Sequence, residues 1–103
     1  MDSIGSGGTS GTVVQRVLNA LHTAGSAEFS VGGETYLIQP ENNKGWDYLS
    51  IWSTGSAVFC LARAMFEFSD GIDAETVTEL LSEPCIGGQC CLELYASGAL
   101  QWL

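Results

Sequence analysis

Apolar and polar positions change rhythm several times along this chain. From Thr12 to Ala24, Val13, Val14, Val17, Leu18 and Leu21 recur at helical spacing and share one stripe, with Gln15, Arg16, Asn19, His22 and Thr23 on the other side. Thr12 and Gln15 have capping-box spacing, and Gly25 stands where a left-handed residue ends a helix. Ala27–Val31 and Glu34–Pro40 alternate with a period of two around Gly32-Gly33. Glycine accepts the positive φ of primed turns, so this predicts a tight hairpin. Pro40 cannot donate a ladder hydrogen bond, and the second strand is expected to end there or to lie beside a loop. Glu41 to Gly45 then reads as a polar turn and Trp46 to Trp52 as a third strand. That strand places Trp46, Tyr48, Ser50 and Trp52 on one side and Asp47, Leu49 and Ile51 on the other.

Beyond Ser53 the pattern is less decided. Val58 to Leu61 would prolong the meander as a fourth strand, whereas Leu61, Ala62, Ala64, Met65 and Phe68 suit a helix. The reading adopted is a helix from about Val58 to Ser69. A further helix starts at Ile72, with Asp73 as N-cap and Ile72 and Val77 as a hydrophobic staple, buries Val77, Leu80 and Leu81, and stops before Pro84. Gln89 to Ala96 suits a short helix burying Cys91, Leu94 and Tyr95, or a strand burying Cys90, Leu92 and Leu94; the helix is preferred. Trp102 is expected against the core, because a wet indole with two leucines forfeits several kcal/mol. The sum is an α+β domain: an N-terminal helix, a three-stranded antiparallel meander, then two or three helices packed on one face of the sheet. Residues 1–11 (MDSIGSGGTSG) are predicted to be a flexible Gly/Ser-rich tail, and 12–103 a single domain.

Charge and cysteine content narrow the functional classes. Twelve acidic against three basic residues give a net charge of −9, which repels phosphate backbones and anionic headgroups and argues against nucleic acid and membrane partners. With no long apolar run and no signal-peptide pattern at the start, the expected location is cytoplasmic, where thiols stay reduced. Nucleophile elbow, zinc-protease pair, Walker loop and dinucleotide fingerprint are all missing, and there is one histidine. A non-catalytic protein without a cofactor is therefore expected.

Three groups of residues carry the remaining chemistry. Cys85, Cys90 and Cys91 are the densest cluster, yet neither a Cys-x-x-Cys pair nor a partnering His accompanies them, so no metal is expected. As small apolar residues they would fill the core; a reactive one would be Cys90, at the junction of turn and helix. Glu75, Glu79 and Glu83 fall four apart on one helical stripe, and Arg63 is the last basic residue. Such a stripe is either solvated or meets a basic surface. Tyr36, Trp46, Tyr48 and Trp52 either pack beneath helices or form an exposed aromatic platform rimmed by Asn42–Gly45, suited to a protein or peptide.

The run Phe66 to Val77 resembles the helix, Asp-Gly turn and second helix of PqqD-like peptide-binding domains, in which a three-stranded sheet precedes three helices. The resemblance implies capture of a leader peptide on an edge strand; the extra N-terminal helix departs from it. The functional expectation is a protein- or peptide-binding module using Tyr36, Trp46, Tyr48 and Trp52, with Glu75 and Glu79 as a second surface. The alternative is a thiol-based redox or metal-binding protein using Cys85, Cys90 and Cys91.

Overall fold

In a computed structural model, the backbone is described for residues 8–55, 57–67 and 71–103, with side chains from residue 11 onward. The chain begins with α1 (Gly8–Ala24) and continues through β1 (Ala27–Val31), β2 (Glu34–Asn43), β3 (Trp46–Ser53) and β4 (Cys60–Phe66). It then forms α2 (Ala74–Ser82), α3 (Cys91–Ala96) and a short β5 (Leu100–Trp102). The strands make one antiparallel sheet in the order β4-β3-β2-β1-β5. The architecture is α+β with an N-terminal helix, but the sheet has five strands rather than three.

The first helix buries Val13, Val14, Val17, Leu18 and Leu21, the five positions of its apolar stripe. It ends at Gly25, whose φ of 82° is open to glycine and whose N–H reaches the Leu21 carbonyl at 3.0 Å. Its start differs from expectation. The helix already runs from Gly8, so Thr12 is an interior residue and caps nothing, and 8–11 belong to the helix rather than to a tail. Residues 1–7 lie outside the described part.

The hairpins follow glycine. Val31 pairs with Glu34 around Gly32 and Gly33, at φ 59° and 87°. The next turn is tighter than its composition suggests: Asn43 pairs with Trp46, so only Lys44 and Gly45 connect β2 to β3, at φ 55° and 87°. Pro40 therefore does not end β2 but lies inside it, opposite Leu49. Antiparallel pairs alternate between bonded and non-bonded, and counting from the Asn43–Trp46 pair leaves Pro40 in a non-bonded one. Its nitrogen points toward the β1 side, where β1 pairs only as far as Ile38, and the missing N–H forfeits no ladder bond.

The predicted helix over Val58–Ser69 is instead a strand at Cys60–Phe66, with Val58, Phe59 and Glu67 in neither helix nor strand; Phe68 and Ser69 lie outside the described residues. Ala, Leu, Arg and Met are good helix formers, but propensity is a small effect that tertiary context overrides, and β3 offers a whole edge of unpaired amides and carbonyls. Cys60–Phe66 satisfies that edge in register from Asp47↔Phe66 to Ile51↔Ala62, then slips at a bulge so that Trp52 faces Cys60. Alanine at 64, 2% exposed, lets α2 pack over this edge. The PqqD-like correspondence fails at the same point, because Phe66 ends a strand and four strands precede α2.

One cluster forms the core. Ala27, Phe29, Ile38, Leu49, Ile51, Ala64 and Leu100, all on one face of the sheet by register, join the buried residues of α1, α2 and α3. Phe29 lies at its heart, stacked on Tyr36 at 5.2 Å and met edge-on by Trp102 at 5.5 Å. Asp73 caps α2 as its sequence suggests: its Oδ1 accepts both the Thr76 N–H and the Thr76 hydroxyl at 3.0 Å. These two bonds hold its carboxyl below the usual aspartate range. The staple residues Ile72 and Val77 both pack on the core.

Candidate functional site

The other face of the sheet is made by the alternate residues of the same strands, and no described element lies across it. Register places Leu37, Gln39 and Glu41 of β2, Trp46, Tyr48, Ser50 and Trp52 of β3, and Arg63 and Met65 of β4 there. Trp46 is 56% exposed and Met65 49%, while Leu37, Tyr48 and Trp52 are half-buried.

Its centre is polar but closed. Ser50 is fully buried although it sits on the uncovered face, because its larger neighbours lean over it. Its hydroxyl donates to Glu41 Oε2 at 2.6 Å, and Arg63 Nε donates to the same oxygen at 2.8 Å. The Arg63 guanidinium in turn lies 5.4 Å from the Tyr48 ring centre and 6.0 Å from that of Trp52. One carboxylate thus neutralises the one guanidinium and takes up the buried hydroxyl, so the aromatic centre of the face carries little net charge, while exposed Glu28, opposite Leu37, adds a carboxylate on its β1 side. The Trp52 indole N–H is buried and finds no acceptor among the described residues.

The expected site residues divide among three places. Trp46, Tyr48 and Trp52 share the uncovered face. Tyr36 does not join them: it pairs with Ser53, on the face of Phe29, where its ring is stacked in the core cluster. Partial burial, with Glu34 and Cys85 nearby, pushes its hydroxyl pKa up. Its grouping with the tryptophans depended on a five-residue loop. Pairing Pro40 with Trp46 would put Tyr36 beside them, whereas the observed pairing of Asn43 with Trp46 moves it across the sheet. Glu75 and Glu79 are exposed on α2, whose buried residues face the core, so they belong to the solvent side of the helical layer. Leu37, Glu41, Arg63 and Met65 are additions. Lys44-Gly45, a two-residue turn with glycine second, was the signal that could have revealed the β2 members.

The cysteines also separate. Cys85 Sγ and Cys91 Sγ lie 3.9 Å apart, whereas Cys90 is the residue before α3, its N–H bonded to Glu93 Oε1 at 3.0 Å. That bond holds the Glu93 carboxyl below its ordinary value. Among the described residues no group of three or more His, Cys, Asp or Glu is placed to hold a metal ion. Nor, among them, is any helix long and apolar enough to cross a membrane. Compared with known proteins, the chain matches no family model, no curated sequence and no solved structure.

Proposed function

We propose that the protein is a non-catalytic binding module that receives an apolar protein or peptide segment on the uncovered face of its sheet. The observation that carries this reading is the shared exposure of Trp46 and Met65 beside Tyr48 and Trp52 on a face that no described element covers. Aromatic side chains lose little rotamer entropy on binding and dominate hot spots. The Glu41–Arg63 pair adds a planar group without leaving a lone charge to desolvate.

Charge selects the partner. Each chain carries −9, so a second copy would bring like charges together, whereas a segment with lysine or arginine beside its apolar residues gains from the field. We assign the partner to that class. Glu75 and Glu79 on the helical layer are the secondary surface and play no part in this contact.

Selection from a random peptide library, with affinity then measured by tryptophan fluorescence, tests the proposal. Enriched peptides are expected to combine aromatic or aliphatic residues with basic ones. Their binding should fall at least about tenfold in a Trp46→Ser, Met65→Ser double variant, the loss of a hot-spot contact, and persist in Glu75→Gln, Glu79→Gln. Failure of any peptide to enrich, or binding that follows the glutamates instead, would overturn it. Dimerisation through this face, seen by sedimentation and abolished by the double variant, would likewise refute the assigned partner.

A further inference from the structure

A second feature lies away from the uncovered face. Cys85 precedes a tight turn in which Ile86 and Gln89 bridge across Gly87 and Gly88, at φ 59° and 80°. The Gln89 carbonyl accepts the Cys85 N–H at 3.0 Å, and the returning chain enters α3 at Cys91. Two thiols six positions apart are thereby brought to 3.9 Å.

Their surroundings are unequal. Cys91 is fully buried in the core cluster, while Cys85 is half-buried and lines a surface cleft of about 340 Å³ together with Glu34, Tyr36, Phe59 and Leu61. A reagent in the cleft meets Cys85, and Cys91 stands behind it. The contact between the two thiols holds the Cys85 thiol below its ordinary pKa, while the same contact and burial push Cys91 up. The thiolate is the attacking form, so the accessible sulfur is also the more nucleophilic by protonation state.

We propose that Cys85 and Cys91 form a dithiol site for exchange with small cationic disulfides, with Cys85 as the attacking sulfur and Cys91 as the resolving one. The Cys85 thiolate attacks one sulfur of R–S–S–R, forming Cys85–S–S–R and expelling one thiolate, which takes up a proton. The Cys91 sulfur then attacks Cys85 Sγ as its proton passes to the departing second sulfur, which leaves as the free thiol. The two protein thiols are oxidised to one disulfide and the external disulfide is reduced to two thiols. The sulfurs must close by about 2 Å to reach bonding distance, and the turn between them is exposed at Gly87-Gly88, where no core packing opposes the shift. Charge sets the substrate class. Glu34 on the cleft and the −9 chain favour a cationic disulfide over an anionic one.

The test treats reduced protein with cystamine and follows intact mass with peptide mapping. Wild type is expected to release two cysteamines and end with a Cys85–Cys91 disulfide. Cys91→Ser, or Cys91→Ala should the hydroxyl disturb the core, is expected to stop at one cysteamine on Cys85. Cys85→Ser should react at least about tenfold more slowly, and wild type should prefer cystamine to oxidised glutathione, a preference narrowed by Glu34→Gln. An adduct on Cys60 or Cys90 in the Cys91 variants, a wild-type adduct that never resolves, or undiminished reaction of Cys85→Ser would overturn the site. Equal rates with the two disulfides would overturn the substrate class.

Discussion

The two faces of the sheet are built from the same strands, residue by alternate residue, and their chemistry is nearly opposite. On the covered face Phe29, Ile38, Leu49 and Ile51 have no exposed surface and are held by three helices. On the other, Trp46 and Met65 are about half exposed, and the closed centre is a serine, a glutamate and an arginine. An apolar count alone would not separate them, because both are rich in large side chains. What separates them is whether a layer of helices completes the packing, so apolar side chains stabilise the fold on one side and remain available for contact on the other.

Substitutions should divide along the same line. Phe29→Ala removes a ring packed between Tyr36 and Trp102 and is expected to destabilise the protein by about 3–5 kcal/mol, read as a lower urea midpoint. A cost within about 0.5 kcal/mol would mean that the covered face is not the core. Ile51→Ala follows at about 2–4 kcal/mol. Ser50→Ala should cost about 1 kcal/mol, the value of one hydrogen bond, since Glu41 keeps Arg63. Trp46→Ser, although the side chain is large, should change stability by no more than about 0.5 kcal/mol. A loss comparable to that of Ile51→Ala would erase the distinction between the faces.

Acid provides a sharper probe of the covered side. The Asp73 carboxyl has a folded pKa below its unfolded one, so its contribution is fully present above the unfolded value, about 3.9, and is lost as pH falls through the folded value. The stability gap between wild type and Asp73→Ala should therefore be constant near neutrality and narrow below about pH 4. The gap between wild type and Trp46→Ser should not narrow in that range. Urea titrations across pH measure both.

What could be read from the sequence was local. The α1 stripe, the Gly25 cap, the Gly32-Gly33 hairpin and the Asp73 cap each depend on residues within a few positions of one another, and each is present. Features set by distant partners were not legible. Residues Cys60–Phe66 are drawn into a strand by the free edge of β3, and three-residue β5 is defined by its pairing with β1. The candidate surface was lost in part for the same reason: counting the β2–β3 turn as five residues instead of two shifted the register by three and exchanged Tyr36 for Leu37. The thiol pair is intermediate. Gly87-Gly88 announced a turn, but only a turn tight enough for Ile86 to bridge Gln89 brings Cys85 to Cys91, while Cys90 keeps its expected place just before α3.

The pairing of Phe29 with Trp102 has a consequence for the order of assembly. Strands β1 to β4 are sequential neighbours, and two of their connections are two-residue turns, so most of the ladder can zip through short loops. The β1–β5 contact instead closes everything between Phe29 and Trp102 into one long loop, and loop-closure entropy places that step late. The edge strand carrying Leu100 and Trp102 is thus the clasp of the fold: the last part to dock over Phe29, and the first whose amides should exchange with solvent under mild denaturant.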